Sequence, residues 1–288
     1  MARIALSFRL FSPHRFSQLF RENYIPTPTF LDKIQVASRA GWSAFRDPKD
    51  SRSVAALGDV LSSRALHRMH TEMQNDPIGR EILLEKPLLD EHELNLDALY
   101  ALPVGTLGHA YVDFMESHNL TLFEREPVHY IEEEELAYVM TRYRQLHDFL
   151  HVAYGLSINV ENEVALKCIE LMQTRFPMTL FATFLGPFTC PRNANRKMFS
   201  TISSKKNRES RSFQNSSSEW IEESPRDRLE QQLLPWALSA AMKLKRPLHL
   251  VYIERWLDQP LDAFREYCGI LLPTTGLPLK HTLRNEYT

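Results

Sequence analysis

The chain has 288 residues, 43% hydrophobic and 24% charged, enough to bury one large core or at most two small ones. Its 34 Lys and Arg against 36 Asp and Glu leave a net charge of −2, which gives no global nucleic-acid signal. Nine glycines are few for this length, and long stretches place helix formers at period 3.6. An all-α class, as a single mainly helical domain, is therefore favoured over a glycine-punctuated β fold. The three cysteines, Cys168, Cys190 and Cys268, have no CxxC spacing and argue for reduced thiols rather than a disulfide framework.

The first 21 residues carry Arg3, Arg9, Arg15 and Arg21, several Ser and Phe, and no acidic residue before Glu22. That composition resembles a mitochondrial transit peptide, and arginines interrupt every apolar stretch that could serve a secretory signal. Residues 1–24 therefore read as a targeting or disordered leader, and 25–288 as the folded domain. No run reaches the ~18 apolar residues of a membrane-spanning helix, so any membrane contact is expected to be peripheral.

In chain order, Phe30, Ile34, Ala37, Gly41 and Phe45 mark an amphipathic helix stopped by Asp47-Pro48. Residues 54–75 read as one helix, 77–84 continue the pattern, and 94–102 form a short segment ended by Pro103. A turn at Gly105 to Gly108 feeds a helix with Leu107, Tyr111, Phe114 and Met115 on its apolar face, and His109 reads as a core histidine. The acidic run 132–135 precedes the stripe Leu136, Val139, Met140, Tyr143, Leu146, Leu150, where four carboxylates suit the positive end of a helix dipole. This helix should end at Gly155, with Ser157 or Asn159 capping the next, 160–173. The two helices are expected side by side.

Pro177 opens a Met- and Phe-rich helix that Gly186-Pro187 should end. Residues 191–228 shift to Ser, Asn, Arg and Lys and read as a flexible, Ser/Lys/Arg-rich loop insertion, because so few apolar groups cannot offset the entropy of ordering. Its basic half favours solvent over nucleic acid. Regular structure resumes at 229–244, and 261–268 is a last short helix.

Chemistry concentrates between residues 147 and 163. At about 100° per residue, His147 and His151 stand only about 40° apart on their helix, and Asp148 about 100° from His147. A divalent ion takes imidazole nitrogens and carboxylate oxygens, and an i, i+4 histidine pair supplies the nitrogens. Glu163, in the first turn of the following helix, can complete a site with two nitrogens and two oxygens. The same residues also fit a solvated helix surface, since Glu163 and Lys167 have the i, i+4 spacing of an ordinary ion pair. The capped turn favours the metal site because it returns Glu163 to the histidines.

His147-Asp148-Phe149-Leu150-His151, eleven intervening residues and then Glu163 closely resemble the HDxxHx11E signature of the Coq-four family of ubiquinone biosynthesis proteins. The resemblance extends to Asn75-Asp76-Pro77 with Gly79-Arg80, to Leu102 through Gly108, Glu133 through Val139, Leu185-Gly186-Pro187 and Leu234 through Leu238, and so spans roughly residues 25–270. The basic, Ser-rich insert after Cys190 departs from it. The resemblance implies a mainly α-helical fold, metal ligation by His147, Asp148, His151 and Glu163, and zinc as the metal, with iron or magnesium as alternatives. It also implies a peripheral place on the matrix face of the mitochondrial inner membrane, within the multiprotein ubiquinone-synthesis complex, and leaves a homodimer open.

The activity implied is C1-decarboxylation of a 4-hydroxy-3-methoxy-5-polyprenylbenzoate to a 2-methoxy-6-polyprenylphenol, with a non-catalytic, lipid-binding organiser of the complex as the alternative. Glu163 could then be ligand or proton shuttle, and iron would suit any oxygen chemistry better than redox-inert zinc. The prenylated precursor's tail needs apolar surroundings. Met172, Phe176, Met178, Phe181 and Phe184 beside the motif are the candidates, with Lys167 as a polar substrate contact.

Overall fold

The computed structural model describes residues 13–27, 29–46, 51–89, 94–121, 126–191 and 224–274. Among them every regular element is helical, in agreement with the all-α expectation, and an isolated bridge pairs Thr106 with Pro260. In chain order the helices are α1 (Pro13–Asn23), α2 (Phe30–Arg46), α3 (Ser51–Leu61), α4 (Ser63–Asn75), α5 (Pro77–Glu85), α6 (Leu96–Tyr100), α7 (Leu107–Ser117), α8 (Glu134–Tyr154), α9 (Val160–Thr174), α10 (Pro177–Thr189), α11 (Pro225–Arg228), α12 (Leu234–Lys243) and α13 (Leu261–Cys268). No helix among these residues is long and apolar enough to cross a membrane.

The organising element is α8. Its N-terminal half buries Leu136, Ala137, Tyr138, Val139 and Met140 in one apolar cluster, shared with α1, α4 and α5. Its C-terminal half buries Leu146, Phe149, Leu150 and Ala153 in a second, shared with α7, α9, α12 and α13. One rod thus joins two cores into one domain. On α8 the polar residues Tyr143 and His147 fall at the seam between them.

Charges reinforce this frame. Arg142 is fully buried and donates to Glu254 Oε2 at 2.8 Å, tying α8 to the C-terminal turns. A buried guanidinium requires such a partner, because its desolvation is otherwise uncompensated. Asp76 caps α5 by accepting from the Gly79 amide at 2.8 Å and also pairs with Arg246 at 2.6 Å.

Packing moves several expected boundaries. The stretch 54–75 is two helices, with Ser62 at φ −93°, ψ 0° between them, while amide bonds at 3.1 and 2.9 Å keep the ladder continuous through a kink. The α10 helix runs on through Gly186-Pro187 to Thr189, because Gly186 meets Val164 of α9 so closely that a Cβ there would lie 2.3 Å from Val164 Cγ2. Close approach, rather than helix termination, accounts for that glycine. The expected insertion 191–228 is shorter at its C-terminal end. Ser224 accepts from the Asp227 amide at 3.1 Å and caps α11, which continues through a π-helical turn (Leu229–Leu233) into α12. That wider turn precedes Pro235, which has no amide to donate to the preceding turn. Residues 192–223 lie outside the described residues, as do residues 1–12 of the expected leader. The remainder of that leader includes α1, whose Phe16 is buried edge-on to Tyr138. His109 is half-buried rather than in the core: it contacts the Tyr100 carbonyl at 2.9 Å and stacks on the Tyr100 ring.

Candidate metal centre

The motif is positioned by two helix ends. At the C-terminus of α8, Gly155 adopts φ +66°, its amide bonds to the Val152 carbonyl at 3.2 Å, and the Leu156 amide bonds to the His151 carbonyl at 2.9 Å. These are the two bonds of a Schellman cap, whose left-handed position favours glycine. Four residues on, Asn159 accepts from the Asn162 amide at 3.0 Å and starts α9, with Glu161 and Glu163 in its first turn. Of the two expected caps, Asn159 performs that role, while Ser157 accepts from the Asn162 side chain at 2.9 Å. Contacts between α8 and α9 pair 151 with 163, 147 with both 163 and 170, and 143 with 170. Positions fall on one helix as they rise on the other, so the two run antiparallel and meet through long polar side chains.

His147, His151 and Glu163 offer one ligand atom each within 4.8 Å of one another. His151 Nε2 stands 2.9 Å from Glu163 Oε1, and His147 Nε2 stands 3.5 Å from Glu163 Oε2. Both Nδ1 atoms face acceptors, Glu170 Oε1 at 2.7 Å for His147 and the Leu156 carbonyl at 3.2 Å for His151. An imidazole that donates through Nδ1 presents an Nε2 lone pair. His151 Nε2 is buried and makes no hydrogen bond with suitable geometry, despite the nearby carboxylate. Two lone pairs and a carboxylate turned to shared space, one of them an orphaned buried nitrogen, are a donor set that fits a divalent cation.

Electrostatics favour an ionised Glu163 and a neutral His151, while His147 is pulled the other way. Burial alone would raise the Glu163 carboxyl, yet the two imidazoles beside it hold it far below the usual carboxylate range. Burial pushes His151 down toward its neutral form. His147 also meets burial, and the Lys167 charge opposes its protonation, but the Glu170 and Glu163 carboxylates outweigh both and raise it.

Asp148 does not join the converging atoms. It is buried, at 8% exposure, and to serve as a fourth ligand its carboxylate has to close on the other three. Its position about 100° from His147 on the helix is the geometric reason.

The expected substrate contacts separate. Lys167 lies beside the centre, 2.7 Å from Glu170 Oε2 and 3.3 Å from His147 Nδ1. Phe176 is buried, its ring edge-on to Tyr143 with centroids 4.6 Å apart. Met178 is half-buried, with its Cγ near Gly58 of α3. Met172, Phe181 and Phe184 are exposed, so the five apolar residues do not line one enclosed channel. Instead α10 shows solvent an apolar face of Leu180, Phe181, Phe184, Leu185 and Phe188. Sequence reasoning passed over Glu170, although Glu163, Lys167 and Glu170 at i, i+4 and i+7 share one helix face.

With this geometry in place, comparison with known proteins is informative. A family model described as coenzyme Q (ubiquinone) biosynthesis protein Coq4 matches residues 22–218. The ubiquinone biosynthesis protein COQ4 homolog, mitochondrial, of Cryptosporidium parvum is 32% identical over 275 residues, covering 91% of this chain and 90% of its own. The homologue of that name from Rattus norvegicus is 31% identical over 257 residues, covering 89% and 84%. A Nostoc punctiforme crystal structure, of a protein linked by its description to ubiquinone biosynthesis, superposes with a TM-score of 0.56 over 82% of this chain and 96% of its own. At 20% identity that likeness shows the fold alone. The family match, covering well over half of the chain and carrying the His147 to Glu163 motif within it, makes this chain a member of the Coq4 family of ubiquinone biosynthesis proteins.

Proposed function

We propose that the chain is a metal-dependent decarboxylase that removes the C1 carboxylate of a 4-hydroxy-3-methoxy-5-polyprenylbenzoate to leave a 2-methoxy-6-polyprenylphenol. The observation that carries the reading is the convergence of two Nε2 atoms and one carboxylate with both Nδ1 atoms already committed. His147, His151 and Glu163 would hold the ion, zinc by donor type, with Asp148 as the fourth ligand if its carboxylate closes on them. Iron and magnesium would be alternatives on the same donors. When bound, the ion supplies Lewis acidity toward a substrate oxygen.

The residues around it have separable tasks. Loss of the carboxylate requires the C1–carboxyl bond to break as carbon 1 takes a proton, while the para oxygen feeds electron density into the ring. No further oxidant enters that balance. Lys167 brings its ammonium beside the centre, shared with the Glu170 carboxylate at 2.7 Å, and is the cation that an anionic aryl acid would meet there. Glu163 is the most exposed of the three converging side chains, at 34%, against 17% for His147 and 1% for His151, and so forms the solvent-facing edge of the centre.

The apolar face that α10, the helix following α9, shows to solvent supports tail binding, and supports a second reading in which the protein presents prenylated precursors to the other enzymes of a membrane-surface complex. Relatives named mitochondrial, together with the Arg-rich N-terminal sequence, support a mitochondrial location; a peripheral place on the matrix face of the inner membrane belongs to the same proposal, and the described residues contain no helix long and apolar enough to cross a membrane. Purified full-length protein, loaded with zinc and given the prenylated acid without partners, separates the two readings. The decarboxylase releases carbon dioxide and the phenol, and His151→Ala abolishes this; an organiser binds the acid and gives no product.

A further inference from the structure

We infer that Glu170 is the positioning residue of the centre, fixing the tautomer and the aim of His147 through a buried carboxylate that Tyr143 and Lys167 hold in place. The inference rests on the metal-site reading of His147, His151 and Glu163. Glu170 lies two helical turns beyond Glu163 on α9, and its side chain is 1% exposed. Both of its oxygens are used. Oε1 accepts from His147 Nδ1 at 2.7 Å, and Oε2 accepts from the Tyr143 hydroxyl at 2.8 Å and from Lys167 Nζ at 2.7 Å. Phe176 backs the Tyr143 ring, so the far side of this network is packed apolar core.

An ordinary i, i+3 ion pair between Lys167 and Glu170 would lie on the helix surface and need neither an imidazole nor a phenol. Here the donors come from two helices and meet on one carboxylate at the seam of the two cores. The consequence falls on His147. With Nδ1 committed to a carboxylate, the ring donates there and presents Nε2 toward Glu163 as a lone pair, and the charged acceptor makes that lone pair a better donor to a cation. His151 has only a neutral acceptor at its Nδ1, the Leu156 carbonyl at 3.2 Å. The two imidazoles are therefore unequal ligands, and Glu170 is what makes His147 the stronger. Lys167 and Tyr143 both donate to the second oxygen of the buried carboxylate and so restrict its rotation.

The test uses Co2+ as a spectroscopic probe on the full-length protein, with affinity measured by chelator competition and ring tautomers read by 15N NMR on the metal-free chain. Wild type should bind one Co2+ and His151→Ala should lose it. Glu170→Gln should weaken binding about 10- to 100-fold, the usual effect of losing such a partner, and mix the His147 tautomers. Because that substitution strands the Lys167 charge, the paired variant Lys167→Met with Glu170→Gln is measured beside it and should stay equally weak. Glu170→Asp keeps the charge but withdraws it by about 1.5 Å, one carbon–carbon bond, and should give an intermediate loss while remaining folded. If the paired variant binds Co2+ as wild type does and His147 keeps its Nδ1–H tautomer, the inference is overturned. If wild type binds no Co2+, the metal-site reading fails instead. The tautomer comparison still decides the role of Glu170, since an unchanged His147 in the variants overturns it.

Discussion

Leu156 closes on His151 twice: its amide donates to the His151 carbonyl at 2.9 Å, and its carbonyl accepts from His151 Nδ1 at 3.2 Å. The cap that ends α8 is thus also the clamp on a proposed metal ligand, and both depend on Gly155 at φ +66°. An L side chain in that region costs about 1–2 kcal/mol. Gly155→Ala should lower stability by roughly 1 kcal/mol, the reduced entropy of the unfolded chain offsetting part of the strain. Gly155→Asn should lose less, because asparagine tolerates the left-handed region. Urea midpoints measure the stability, and a zinc affinity that falls more in the alanine than in the asparagine variant links the cap to the centre.

Metal removal should destabilise the folded chain. An ion bound by the native state alone stabilises it by about 2.7 kcal/mol at a hundredfold excess over Kd, so chelation should lower the melting temperature and added Zn2+ should restore it. His147→Ala, His151→Ala and Glu163→Ala should each abolish the zinc-dependent shift. Asp148 stands outside the converging atoms, so Asp148→Asn should retain one bound zinc with affinity reduced less than tenfold. A loss in Asp148→Asn equal to that in His151→Ala would establish the four-ligand set, and would mean that the Asp148 carboxylate closes on the ion.

The convergence of His147, His151 and Glu163 is readable in the sequence because its geometry is local. Helical spacing sets His147 against His151, and a left-handed glycine followed by an asparagine cap brings Glu163 back within one short turn. What escaped that reading depends on contacts distant along the chain. Gly186-Pro187 resembles a helix stop, and only the presence of Val164 against α10 shows that the glycine answers a packing demand. Glu170 has no distinguishing signal in the sequence, where Lys167 already has Glu163 as an i, i+4 partner, and only Tyr143 and His147 from α8 on the same carboxylate single it out. His109 follows an apolar pattern, but it is half-buried and stacks on the exposed Tyr100 ring. Apolar content alone did not tell the buried Phe176 from the exposed Phe181 and Phe184, since Phe176 precedes α10 and packs on Tyr143 of α8, whereas the other two lie on the face that α10 turns to solvent.

The contact between Gly186 and Val164 makes a prediction next to Glu163. A methyl group at residue 186 would meet a β-branched side chain whose rotamers are few, so the helices must part. Gly186→Ala should cost about 1–3 kcal/mol, the range for an overpacked core. Adding Val164→Ala to it should recover much of the loss, because removing the two Val164 methyls makes room for the one added at residue 186. A double-mutant cycle in urea checks this. Additive costs would show that α9 and α10 are not in the contact described.

Asp76 carries a pH dependence whose sign can be worked out. Burial would raise its carboxyl, but the Gly79 amide and the Arg246 guanidinium outweigh that and hold it below the ordinary value. A group with a folded pKa below its unfolded one stabilises the native state fully above the unfolded value, near about 3.9 for aspartate, and loses that contribution as pH falls through the folded value. Asp76→Ala should therefore cost about 1–2 kcal/mol at neutral pH, the range for a lost cap, and the difference from wild type should shrink as pH falls below about 4. Asp76→Asn separates the two partners: an amide oxygen can still accept from Gly79, whereas the charge facing Arg246 is gone. The asparagine variant should keep most of the neutral-pH stability of wild type and lose the wild type's steeper decline in acid. Urea denaturation at pH 7 and pH 3.5 measures both quantities. An alanine variant whose deficit stays constant between those pH values would show that the ionised carboxylate contributes nothing at this junction of α4 and α5.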